Sequence, residues 1–120
     1  MQDINQLLEE LEQLTNEGSA NSIQAAQNAR SVAENAAERA EYIAKATRSA
    51  EVVRFRDEGK PVAEAEHRAR ISPKYEEKKE IEFKTKLSAE QAKARHQALL
   101  MQRDNIKTKI SAIQSAMKLV

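Results

Sequence analysis

The sequence predicts an all-α protein: a long antiparallel helical hairpin, coiled-coil-like and oligomeric, with a short amphipathic helix at its N-terminus. Three observations predict it. Ala26, Ala29, Ala33, Ala36, Ala40, Ile43, Thr47 and Ala50 recur in alternating steps of three and four, which keeps one seam of a helix against a partner. The same spacing returns beyond Tyr75 through Lys78, Glu82, Thr85, Ala89, Ala92, His96, Leu99, Arg103, Ile106, Ile110, Ile113, Met117 and Val120. Finally, 32% of residues are charged and only 3% aromatic, with two Gly and two Pro, a composition that starves a sheet and suits amphipathic helices.

Taken in order, the chain reads as one helical domain, 1–120. Residues 1–17 form an accessory helix, with Ile4, Leu7, Leu8, Leu11 and Leu14 on one face and Glu9, Glu10 and Glu12 opposite. Asn16 to Ser19 ends it, Gly18 being a natural C-terminal stop, and Ser19, Asn21 or Ser22 suits the next cap. The first long helix occupies 19–58 and stops at Gly59. Alanine favours it intrinsically, and its seam gains by close approach and many small dispersion contacts rather than by area. Residues 59–73 form a turn region with a short helix, marked by Pro61 at its start and by Val62, Ala65 and Ala69 on its apolar side. Ser72-Pro73 breaks or re-caps the helix, because the residue before proline is pushed off helical angles. The second long helix, 74–119, is polar near the turn and most apolar at its end.

A lone two-helix hairpin buries little, so the spare apolar faces are expected to meet other subunits. Ile4, Leu7, Leu8 and Leu11 are the expected oligomerisation residues, with Leu100 and Met101 as a further face. Charge is graded: residues 1–41 carry eight acidic and two basic groups, and residues 93–120 one acidic and six basic. Opposite ends of a hairpin would therefore attract, within a subunit or between subunits; a basic binding surface is the other reading.

Catalysis and metal chemistry have little to work with. There is no cysteine, no phosphate-binding glycine loop, and only His67 and His96 as imidazoles. Glu64-x-x-His67 has di-iron spacing, but Lys93 stands where a second pair with His96 would need its acid. A solvated helix face is the default, and no cofactor is expected. No apolar run approaches the roughly 20 residues that cross a bilayer, and the N-terminus has no signal-peptide core. The expectation is a cytoplasmic protein with no membrane partner.

The bend collects Arg48, Arg54, Arg56, Lys60, Arg68, Arg70 and Lys74, interspersed with Asp57, Glu58, Glu64 and Glu66, with Phe55 between two arginines. Arginine beside an aromatic ring suits single-stranded nucleic acid, giving charge for phosphates and a flat face for a base. Alternatively, Phe55 packs inside the tip and the arginines pair with the acids; composition favours that second arrangement.

Arg54-Phe55-Arg56, the Gly59-Lys60-Pro61-Val62-Ala63-Glu64 turn, Tyr75-Glu76 and Lys84-Thr85-Lys86-Leu87-Ser88-Ala89 together resemble the UvsY-type recombination mediators of bacteriophages and related small phage helical proteins. The resemblance covers roughly residues 42–118. It implies a non-catalytic accessory factor that forms ring-like oligomers, binds single-stranded DNA and helps a recombinase replace single-strand binding protein. Arg54 and Arg56 match a basic pair of that family in charge and spacing. The expected nucleic-acid-binding residues are Arg54, Arg56, Lys60, Arg68, Arg70 and Lys74. The rival expectation is a structural or protein-binding coiled-coil factor (scaffold, assembly chaperone or phage inhibitor of a host complex) without DNA affinity.

Overall fold

A computed structural model of the chain describes residues 3–119. They are all-helical, without a strand among the described residues: α1 Ile4–Thr15, α2 Ile23–Asp57, α3 Val62–Arg70 and α4 Pro73–Lys118. No helix among them is long and apolar enough to cross a membrane. The packing falls into two compact units, one of Met1–Ser31 with Gln91–Val120, the other of Val32–Glu90.

Local chemistry sets each helix end. Asp3 caps α1 reciprocally: its Oδ1 accepts from the Gln6 N–H at 2.9 Å, and its own N–H donates to Gln6 Oε1 at 3.2 Å. Asn16, in extended conformation, ends α1 at the start of the 16–19 segment expected to stop it, and Gly18 takes no left-handed conformation there. Of the three candidate caps for α2 it is Ser22, fully buried, whose Oγ accepts from the Ala25 N–H at 3.1 Å. Gly59 does stop α2. At φ 90° it is the described glycine in left-handed space, and the Lys60 and Gly59 N–H groups return to the Phe55 and Arg56 carbonyls at 3.1 and 2.9 Å. A Cβ at Gly59 would meet nothing within 4 Å, so Gly59→Ala is penalised through backbone angle alone. Its expected cost is about 1 kcal/mol, read as a lower denaturation midpoint; an unchanged midpoint would remove this role. Pro61 sits at the cap of α3 rather than inside it, and Pro73 opens α4.

In the first unit the core is Leu7, Leu14, Ile106 and Ile110, with Ile4, Leu11, Ile23, Leu99 and Ile113 against it. The apolar end of α4 thus finds its partner in α1. Of the residues expected at subunit contacts, Leu7 is 1% exposed and Ile4 and Leu11 pack beside it, so three of the four are used within the chain. Leu8 remains at the surface. Met117 is 65% exposed, outside the core that its spacing predicts, and Val120 lies outside the described residues.

In the second unit α2 turns a row of small residues inward: Ala33, Ala37, Ala40, Ala44 and Thr47, closed by Glu51. The inward positions of α4 there are Tyr75, Lys78, Glu82, Thr85 and Ala89, as the spacing predicts. The hydrogen bond that Ser72 donates to Glu51 and the ion pair of Lys86 with Glu41 make the two segments antiparallel. α3 presses Ala65 and Ala69 into the same unit without leaving either accessible. Val62, expected beside them, is exposed.

The α2 seam therefore differs from the expected one. Ala26, Ala33, Ala40 and Thr47 are inward, but their companions are Arg30, Ala37, Ala44 and Glu51, while Ala29, Ala36, Ile43 and Ala50 face solvent. The inward row tolerates charge because α4 is polar where it meets it. Arg30 Nη1 meets His96 Nδ1 at 3.3 Å. Glu51 is likewise met by polar groups. The displaced row leaves Val32, Ala36, Arg39, Ile43, Ala46, Ala50 and Val53 as a second, outward seam with the same 3-4 spacing.

Candidate binding surface at the helix bend

Where α2, α3 and the start of α4 meet, one buried carboxylate organises the charges. Glu51 is 4% exposed. Arg54 donates to its Oε2 from Nε at 3.1 Å and from Nη2 at 2.7 Å, and Ser72 Oγ donates to the same oxygen at 3.2 Å. Lys74 Nζ stands 4.0 Å from the other oxygen. The Arg54 bonds, then the Ser72 bond and the neighbouring positive charges, hold the Glu51 carboxyl below its ordinary range against the opposing effect of burial. The Arg54 guanidinium is correspondingly raised, first by its bond to Glu51.

The aromatic side chain is occupied from within. Arg54 lies 4.3 Å and Arg68 6.0 Å from the centroid of the half-buried Phe55 ring. Arg54 also reaches Glu58 at 3.4 Å, and Arg68 is paired with Glu64 at 2.9 Å. Glu64 thus serves an arginine rather than His67, and among the described residues no group of three His, Asp or Glu side chains is arranged to hold a metal.

The six expected nucleic-acid contacts divide by partner. Arg54, Arg68 and Lys74 are ion-paired. Arg56 donates to the Lys60 carbonyl at 2.9 Å, and Arg56, Lys60 and Arg70 make no ion pair among the described residues. Arg48, equally without one, joins Lys45, Ser49, Val52 and Glu66 around an open polar groove of about 370 Å³. Arg70 follows Glu66 by four residues on α3, which places it on the same helix face.

Sequence reasoning did not single out Glu51 or the Ser72 hydroxyl. The available signal was the charge at the seventh residue after Ala44, where an alanine row would continue. A second buried carboxylate, Glu82, repeats the pattern farther along α4: Lys79 and Lys86 reach it at 3.0 and 3.1 Å and lower its proton affinity. Compared with protein-family models, with curated proteins and with solved structures, the chain matches none.

Proposed function

We propose that this chain is a non-catalytic accessory factor of DNA recombination, of the UvsY type. On this reading it binds single-stranded DNA through the bend and assists recombinase loading in competition with single-strand binding protein. It works in the cytoplasm of a phage host as a homo-oligomer of long antiparallel helical hairpins. The observation that carries the binding half is that Arg48, Arg56, Lys60 and Arg70 surround the bend and make no ion pair among the described residues, with Glu66 the acid nearest to Arg48 and Arg70 in the groove and on α3. Arg54 and Arg68 hold the tip together, leaving the unpaired cations to meet phosphates. The resemblance supplies the recombination context. Repeated bends in an oligomer raise a weak phosphate affinity by multivalency, without nucleotide hydrolysis.

The test is a salt series of single-stranded DNA binding. Replacing Arg48, Arg56, Lys60 and Arg70 by Ala should weaken binding similarly on different sequences, since phosphate contacts position without specifying. Every phosphate interaction removed should reduce the slope of log affinity against log salt by about 0.7 in magnitude. Lys107→Ala with Lys109→Ala, in the other unit, is the control. Equal weakening there would replace the site by diffuse charge, and a wild type without salt-sensitive binding would end the DNA reading. The outward seam of α2 favours a second reading, a scaffold, assembly chaperone or phage inhibitor of a host complex. It would be recognised by assembly or partner capture with no DNA affinity.

A further inference from the structure

The outward seam of α2 has a composition that a solvated helix face lacks. Its flank carries Asn35, Tyr42 and Ser49, and along the row itself Arg39 is the single charge, in a chain that is 32% charged. Val32 is 70% and Val53 58% exposed. Removing such a face from water costs little in polar desolvation and gains apolar burial.

Beside this row, within the second unit, a groove of about 240 Å³ opens between α2 and α4. Ala36, Ala40, Ile43, Ile81 and Thr85 line it, and Arg39 and Lys78 complete it. Neither cation has an ion pair among the described residues. At that volume, below the roughly 300–1,000 Å³ of small-molecule sites, the groove suits a single large side chain. Such a hole, opened by Ala36 and Ala40 between larger side chains, is what a knob from another helix fills.

The same unit carries a knob of matching size and opposite charge. On the face of α4 turned away from α2, Phe83 is 70% and Leu87 51% exposed, one helical turn apart. Glu76, Glu80 and Glu90 share that face by 3-4 spacing. Glu80 reaches only the exposed Lys84, at 3.1 Å, and Glu76 and Glu90 make no ion pair among the described residues.

We propose that the α2 groove receives α4 of a second copy of this chain, Phe83 entering between Ala36, Ile43 and Ile81 while the partner's acidic rim meets Arg39 and Lys78. The two patches are different surfaces, so the contact is heterologous and propagates head to tail into a ring or an open array. The proposal deepens the homo-oligomer part of the function above, and it is tested without DNA, so that the two can fail separately.

Sedimentation velocity at micromolar concentration decides it. Wild type should sediment as an oligomer, whereas a groove variant, Ile43→Glu, and a knob variant, Phe83→Glu with Leu87→Glu, should each sediment as a 13.5 kDa monomer of unchanged helicity. Mixed one to one, they should form a dimer and nothing larger, because one intact groove and one intact knob remain. A monomeric wild type, a knob variant that still assembles, or a mixture that does not pair each overturns the proposal. Should either variant lose helicity, the charges rimming the groove give an independent reading. Arg39→Glu with Lys78→Glu should weaken self-association about tenfold or more, and mixing with Glu80→Lys and Glu90→Lys should restore it. Unchanged association in the first of these, or no restoration on mixing, equally overturns the proposal.

Discussion

Leu7→Ala should destabilise the first unit by about 3 kcal/mol, the largest single-residue effect expected in this chain. Leu7 is 1% exposed among Leu14, Ile106 and Ile110, and its truncation removes apolar packing and leaves a cavity between α1 and α4. α1 has only 12 residues, too few to persist as an isolated helix in water, so its helicity depends on that docking. Leu8→Ala, on the same helix but at the surface, should cost well under half as much. Chemical denaturation followed by circular dichroism reads both. Equal effects at Leu7 and Leu8 would mean that α1 does not pack as described.

The second large effect belongs to Glu51. Glu51→Ala removes charged hydrogen bonds to Arg54 and Ser72 and should cost about 2 kcal/mol at neutral pH. Half-exposed Arg54 regains water afterwards, which keeps the cost below that of a fully buried broken pair. Stability should also depend on acid in a defined direction. Glu51 and Glu82 both have folded-state values below the ordinary 4.5, so between those values and 4.5 the unfolded chain binds more protons. Their contribution is complete above about pH 4.5 and is lost as pH falls through the folded-state values. Glu51→Gln with Glu82→Gln should lower neutral-pH stability and flatten this acid limb. An acid limb as steep as that of wild type would assign it to other carboxylates.

The inward face of α4 was legible because the 3-4 rhythm survives there from Tyr75 to Ile113, even where it runs through Lys78, Glu82 and His96. That of α2 was half legible, for a physical reason. Ala26, Ala33, Ala40 and Thr47 fit either of two rows with identical spacing, and the more apolar companions, Ala29, Ala36, Ile43 and Ala50, were the natural choice for burial. Yet the row with Arg30 and Glu51 is the one packed, since His96, Ser72 and Lys74 stand opposite to satisfy those charges. Hydrophobicity counted one helix at a time cannot register a polar partner 66 residues away. At the bend, the residue types named the cluster correctly as arginines around a phenylalanine. Which arginines are tied up by acids depends on i,i+3 and i,i+4 geometry at Glu51, Glu58 and Glu64, and that separates Arg54 and Arg68 from Arg48 and Arg70.

An alanine ladder is a poor ruler. Slide α2 by seven residues within the second unit and Ala33 and Ala37 fall where Ala40 and Ala44 had been, with almost no change in shape or burial. What distinguishes the two settings is charge: such a slip brings Arg30 to the place of Ala37 and carries Glu51 about 10 Å along the helix axis, away from Ser72 and Lys74. A buried carboxylate stripped of two of its three partners is costly, so only one setting is tolerated. Glu51 thus acts as an index mark on an otherwise uniform scale, trading some desolvation for a single alignment. A chain carrying alanine there would lose the mark, and its expected signature is duplicated amide resonances from two coexisting alignments of the second unit.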